Sequence, residues 1–240
     1  MKVGATSGNT MKVGATDSIT MKVGLAGGIG SGKSYVARRL ALRGIEVYDC
    51  DSAAKRLMHT SPQLRQQLTA LIGPDCYLQD NPDDPNSPFR LNKAAVSRFL
   101  LASEENQQAV NAIVHPAVFV DFEQSGLDWL ESGIMYESGA DRRVDCVVVV
   151  TAPIEVRLER VMQRDHINRC QALQWMERQW PQDEVRRRAD FEIINDGVAD
   201  IDRQLDTLLP QLSAMAQSHK THRSYESHEP YKSNKPHGPY

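Results

Sequence analysis

Short apolar runs and helical stripes alternate along this chain. Met21–Ala26, Ile45–Tyr48, Val144–Val150 and Phe191–Ile194 have strand length, and a weaker run passes through Trp129–Tyr136. Val147-Val148-Val149-Val150 shows no polar alternation, the pattern of a strand covered on both faces. Helical patterns separate the runs. That order predicts an α/β fold built on a doubly wound parallel sheet of about five strands. Residues 53–122 carry helical patterns and few strand signals, broken by the polar, Pro-rich loop Gln79–Pro88. They predict a helical subdomain inserted after the second strand. A second insertion, residues 165–181, lies between an Arg-rich helix and the last strand, the place of a helical lid.

The two ends lack these patterns. Met1-Lys2-Val3-Gly4-Ala5-Thr6 recurs as Met11-Lys12-Val13-Gly14-Ala15-Thr16, and a third copy begins at Met21-Lys22-Val23-Gly24. Only the third copy runs on into a motif. Residues 1–20 are too small and polar to bury an ordering surface, so a duplicated or misassigned start is expected there rather than an extra strand or arm. From Gln217 the chain is rich in His, Ser, Lys, Tyr and Pro, and a disordered tail is expected over 217–240. That leaves 21–216 as the domain.

Composition narrows the class. At 240 residues and 40% hydrophobic the chain can bury a sizeable core, and a net charge of −3 gives no global attraction to nucleic acid or membrane. No apolar run approaches the ~20 residues that span a bilayer. Cys50, Cys76, Cys146 and Cys170 are widely spaced, without a C-x-x-C pair. Free thiols in a reducing cytoplasm are expected. So is a monomer or weak homo-oligomer with neither nucleic acid nor membrane as partner.

The chemistry starts at Gly27-Gly28-Ile29-Gly30-Ser31-Gly32-Lys33-Ser34, which fits the phosphate-binding pattern G-x-x-x-x-G-K-[ST] at every fixed position. An apolar strand precedes it and a helical run follows. The glycines let backbone amides turn in around a polyphosphate, and the new helix adds its positive end. Lys33 would reach the β- and γ-phosphates of ATP, and the Ser34 hydroxyl would ligand Mg²⁺. The second strand ends Asp49-Cys50-Asp51, and ligands of open α/β sheets lie at such carboxyl ends. Beside a phosphate loop, Asp51 suits a base for an attacking hydroxyl; its bland alternative is a helix N-cap.

Arg157, Arg160 and Arg164 form one stripe of the helical run Pro153–Arg164, with Glu155 and Glu159 on another flank and neither at salt-bridge spacing. A single-sign Arg stripe near a phosphate loop suggests neutralisation of a transferring phosphoryl group. His115 reads first as a structural hydrogen-bonder, Glu137 as a cleft or surface carboxylate, and Asn195-Asp196-Gly197 as a turn whose amide could read a nucleotide base.

Taken in order, these residues resemble the dephospho-coenzyme A kinase family over about residues 21–212. The family's G-G-I-G-S-G-K-S loop matches residues 27–34, its D-x-D matches Asp49 and Asp51, and its H-P pair, ending a helix, matches His115-Pro116. Its M-x-R-D matches Met162 to Asp165, a lid Gln matches Gln179, and A-D-[FY]-x-I-x-N-[DN]-G matches Ala189 to Gly197. Gly133-Ile134-Met135-Tyr136-Glu137 departs from the family's third strand but keeps Glu137. Trp175 and Lys93 stand where arginines are common.

The resemblance implies phosphoryl transfer from ATP to the 3′-hydroxyl of dephospho-coenzyme A. Asp51 would be the base, with Lys33, Arg160 and Arg164 on the phosphoryl group. Gly28, Ile29, Gly30, Ser31, Gly32, Lys33, Ser34 and Asn195 would hold the nucleotide, and Asp49, His115, Glu137 and Gln179 the acceptor. The rival readings are a kinase of another small hydroxyl acceptor or nucleoside monophosphate, an ATPase or switch, and a binding module without catalysis. A switch needs a further apolar strand ending in a carboxylate, and the sequence offers one only at Asp49.

Overall fold

The computed structural model describes residues 21–81, 84 and 87–226. Five strands form a parallel sheet: β1 (Val23–Ala26), β2 (Val47–Asp49), β5 (Trp129–Ser132), β6 (Cys146–Thr151) and β7 (Phe191–Ile194). Their spatial order is β2-β5-β1-β6-β7. The chain winds from β1 out to the edge at β2, returns through β5, then crosses to the other side. The winding reverses at β1, so the crevice for a ligand opens at the carboxyl ends of β1 and its neighbours.

Two cores cover the sheet. Val23, Leu25, Trp129, Val148, Val150 and Ile193 point to one face, where α1 (Lys33–Ala41) and α9 (Ile201–Glu226) bury them. Leu130, Val147 and Val149 point to the other. The unbroken valines of β6 are buried on both faces, as their sequence requires. On the second face lie α2 (Cys50–Thr60), α3 (Pro62–Ile72), α4 (Lys93–Ala102) and α5 (Glu104–Ser125). Then α6 (Ile154–Asp165), α7 (Arg169–Met176) and α8 (Gln182–Arg188) lead back to β7. Leu158 and Val161 of α6 bury Ala172 and Met176 of α7 in a small core of their own.

Four expectations are corrected. The third strand stops at Ser132 and does not continue to Tyr136. Ser132 Oγ accepts the Ile134 amide, the chain turns, and Met135 is buried against Gly24, where a Cβ would lie 2.9 Å from its methyl. Residues 53–122 carried few strand signals, yet β3 (Tyr77–Gln79) and β4 (Phe89–Leu91) pair there as a small antiparallel ladder. No helix ends at His115-Pro116, because α5 runs through both. An interior proline costs about 3 kcal/mol, and each buried Val or Phe on a stripe returns about 1.5–3 kcal/mol. Val110, Val114, Val118, Phe119 and Phe122 are such a stripe, so packing wins. Finally, α9 carries past Gln217, where a tail was expected, to Glu226.

The repeat in 1–20 and the stretch 227–240 lie outside the described residues. All four cysteines are free. Among the described residues no helix is long and apolar enough to cross a membrane.

Candidate active site

The loop between β1 and α1 is held from behind by side chains. Gly32 has φ 93° and Gly30 has φ 79°, both in the left-handed region. A Cβ on Gly32 would lie 2.0 Å from Asn195 Nδ2, and one on Gly30 would lie 2.6 Å from the Arg157 carbonyl oxygen. The loop can thus press against α6 and the end of β7 only as glycine. Arg157, 7% exposed, donates from Nε to the Ile29 carbonyl at 2.9 Å. Arg160 Nη1 reaches the Gly30 and Ser31 carbonyls, each at 3.3 Å. Asn195 Nδ2 donates to the Ser31 carbonyl at 2.8 Å, and its Oδ1 accepts from Arg160 Nη2 at 3.4 Å. Two loop amides are also engaged, that of Ser31 by the Gly28 carbonyl at 3.1 Å and that of Ile29 by Gln179 at 2.7 Å.

The cradle suits an anion. Gly32 offers α1 no side-chain cap, so no side chain at the cap competes for its first amides. The Ser31 hydroxyl is buried with no partner among the described residues. Lys33 Nζ donates to the Gly27 carbonyl at 2.6 Å. Burial pulls the Lys33 pKa below its ordinary value; Glu131 and Asp51 oppose that shift, and Arg157 and Arg164 add to it. Beside the loop opens a cavity of about 460 Å³, walled by Tyr35, Arg160, Asn195, Gly197 and Asp200.

The carboxylates stand at the ends of β2 and β5. Asp49 Oδ1 accepts the Asp51 and Ser52 amides at 2.9 and 3.1 Å, and Oδ2 accepts the Ser52 hydroxyl at 2.6 Å. Asp49 therefore caps α2, and Asp51 is in the helix's first turn rather than at its cap. Asp51 lies within electrostatic reach of Lys33. Glu131, on β5, is flanked in register by Leu25 of β1 and Asp49 of β2. Its Oε1 accepts the Ser34 hydroxyl at 3.1 Å. Burial raises the Glu131 pKa, which Lys33 and Ser34 counter.

The remaining candidates are spread more widely. Gln179 crosses the loop: its Oε1 accepts the Ile29 amide at 2.7 Å and its Nε2 donates to the Gly133 carbonyl at 2.9 Å. Glu137 accepts the Trp180 amide at 2.8 Å. Arg164 is ion-paired with Asp165 at 2.7 Å and still lies within electrostatic reach of Lys33. His115 sits away from the loop, half-buried in mid-α5, its ring 6.2 Å from that of Phe119. Asn195 does line the cavity, but its amide is engaged at both ends and is not free to read a base.

Sequence reasoning passed over Glu131. With the third strand drawn through Tyr136, Glu131 fell in its middle; the true end at Ser132 puts it at the crevice. Arg157 was visible in the Arg stripe, but only the fold shows that it holds the loop rather than faces it.

Comparison with known proteins places this arrangement. Residues 21–200 match the family described as dephospho-CoA kinase. The dephospho-CoA kinase of Bacteroides fragilis is 38% identical over 180 residues, covering 72% of this chain and 83% of its own. That of Chlorobaculum tepidum is 33% identical over 204 residues, covering 81% and 92%. The crystal structure of TT1252 from Thermus thermophilus superposes with a TM-score of 0.66 at 32% identity, over 80% of this chain and 97% of that one. Dephospho-CoA kinase from Campylobacter jejuni, at 18% identity and a TM-score of 0.54, shares the fold over 80% and 97%. The chain belongs to the dephospho-CoA kinase family.

Proposed function

We propose that this protein transfers the γ-phosphoryl group of ATP to the 3′-hydroxyl of dephospho-coenzyme A, giving coenzyme A and ADP in the last step of coenzyme A synthesis. The observation that carries this reading is a convergence at one crevice. An uncapped, glycine-lined loop, Lys33 and the carboxylate of Asp51 meet where the sheet's winding reverses. Family membership supplies the acceptor.

In this reading the triphosphate lies on the amides of residues 28–34 and the N-terminus of α1, with the base in the cavity beside Tyr35 and Asn195. The acceptor oxygen forms a bond to the γ-phosphorus. The bond to the bridging oxygen breaks, its electron pair stays on ADP, and the hydroxyl proton passes to Asp51. Asp51 is better suited than Asp49, whose two oxygens are spent on α2. Lys33, Arg160 and Arg164 neutralise the shifting charge, Arg164 by trading Asp165 for phosphate. Asp49 positions Asp51, while His115, Glu137 and Gln179 face the acceptor side as helices and lid close.

The donor set fits Mg²⁺. Ser34 presents an exposed hydroxyl at the first turn of α1, a hard oxygen ligand. Among the described residues no group of three His, Cys, Asp or Glu side chains can hold an ion. Ser34 would be the residue that holds a Mg²⁺ ion brought with the nucleotide. Once bound it would neutralise charge on the transferring phosphoryl group.

The test is ADP release measured with dephospho-coenzyme A against a panel of other hydroxyl acceptors. Release only with dephospho-coenzyme A is expected. Activity confined to a nucleoside monophosphate, or release without any acceptor, would overturn the reading. Asp51→Asn should bind ATP as wild type does and lose roughly 10²–10⁴ in kcat; an unchanged kcat would remove Asp51 from its role as base.

A further inference from the structure

Resting on the phosphotransfer reading, we infer that Arg157 is the residue by which the donor site tells a triphosphate from a diphosphate, its charge answering the terminal phosphate through the loop at Gly28. No other charged side chain among the described residues is as little exposed as Arg157, at 7%. It takes part in no ion pair among them. The glutamates of its own helix are engaged elsewhere, Glu155 with Arg169 and Glu159 with Gln163. Burial lowers the Arg157 pKa, and no carboxylate opposes the shift. A buried cation is costly to keep unless an anion meets it.

The hydrogen bond that Arg157 makes does not account for a charge. Its Nε donates to the Ile29 carbonyl at 2.9 Å, a task a neutral amide could perform. A neutral amide does serve the other half of the same residue: Gln179 Oε1 accepts the Ile29 amide at 2.7 Å. The rest of the guanidinium fork has no hydrogen-bond partner among the described residues. Its Nη2 lies against the loop, where a Cβ on Gly28 would stand 2.5 Å away. Glycine at 28 thus leaves nothing but backbone between this cation and the loop.

Place decides which phosphate the charge answers. The cavity for the base is walled by Gly32 and Arg160, and neither Gly28 nor Arg157 lines it. Gly28 is at the opposite end of the loop, where the row of phosphates ends. Lys33, which serves the β- and γ-phosphates, lies within electrostatic reach of Arg157. Standing behind the loop, Arg157 touches neither phosphate nor acceptor and acts by its charge. When the γ-phosphoryl group leaves, the anion that met this charge leaves with it. ADP is then held less tightly than ATP, which favours release after transfer.

The experiment is calorimetric titration of the full chain with ATP, ADP and AMP for wild type, Arg157→Gln and Arg157→Lys. Arg157→Gln keeps a donor for Ile29 and drops the charge. Its ATP affinity should fall roughly 10–100-fold, its ADP affinity less and its AMP affinity hardly at all, so the preference for ATP over ADP shrinks. Without nucleotide it should melt at or above the wild-type temperature, because an unpaired buried charge is gone. An equal loss for all three nucleotides, or no loss for any, would make Arg157 only a prop of the loop and overturn the inference. Arg157→Lys keeps the charge and gives up the fork, and should retain most of the preference. A preference lost there as fully as in Arg157→Gln also overturns the inference, and Arg157→Lys decides should Arg157→Gln fail to fold. The titrations contain no acceptor, so a wrong acceptor would show in the ADP-release panel and leave this result standing. A wild type that binds no ATP would overturn both readings.

Discussion

The two sides of the crevice are built differently. On the donor side, buried side chains fix the loop from behind: Arg157 and Asn195, only 7% and 8% exposed, each bond a loop carbonyl, and glycines remove every Cβ that would separate them. Across the crevice, α7 and the stretch to Trp180 are held by the small core with α6 and by polar ties: Gln179 bridges Ile29 and Gly133, Glu137 takes the Trp180 amide, and Arg169 pairs with Glu155 at 2.7 Å. The donor cradle is preorganised, as electrostatic catalysis requires. The polar ties across the crevice are bonds that water can replace at little cost.

The most damaging way to break this contrast is to add one carbon to the donor side. Gly32→Ala places a Cβ within 2.0 Å of the Asn195 amide nitrogen at a positive φ of 93°. Either Asn195 releases the Ser31 carbonyl or the loop moves. Strain of this kind costs about 1–3 kcal/mol. ATP affinity should fall at least tenfold and the melting temperature should drop with it, read by calorimetric titration and thermal denaturation. Wild-type ATP affinity in Gly32→Ala would show that the loop is not preorganised by its contact with Asn195.

A smaller effect is expected on the other side. Gln179 occupies an amide of the phosphate loop, so ATP has to compete with it. A neutral hydrogen bond contributes about 0.5–1.5 kcal/mol net, or roughly two- to tenfold in affinity. Gln179→Ala should therefore tighten ATP binding by a few-fold in the absence of acceptor, and lower kcat because the lid loses its tie to Gly133. Weaker ATP binding in that variant would mean that Gln179 helps form the donor site rather than competing with its ligand.

The same contrast explains what could be read from sequence. The phosphate loop and β6 were legible because their signals are local: fixed glycines with Lys33 and Ser34, and a run of valines. The β5 boundary was not, because it depends on Met135 filling the space that Gly24 leaves on a strand over one hundred residues away. The β3–β4 pair was hidden because each strand has three residues, too few for a periodic signal. The Arg stripe was read correctly as a stripe, yet helical periodicity gives only a face. That Arg157 is buried behind the loop while Arg164 pairs with Asp165 depends on what α6 packs against.

The smallest expected effect is at His115, proposed above for the acceptor side. Burial in α5 holds its imidazole below the ordinary pKa of 6.5. The fold thus favours the neutral ring, and below pH 6.5 the unfolded chain binds a proton that the folded chain refuses. The stability this gives is complete above pH 6.5 and is lost as the pH falls toward the folded-state value. Denaturant unfolding between pH 5 and 7 should show a shallower loss of stability in His115→Gln than in wild type, by at most about one proton's slope. Identical slopes would mean that the ring is as wet in the fold as in the unfolded chain. An NMR titration of the His115 ring sharpens the contrast: if this side becomes a site only when the acceptor arrives, bound anionic phosphate should raise the pKa that burial now lowers, whereas an unmoved value would leave His115 a packing residue beside Phe119.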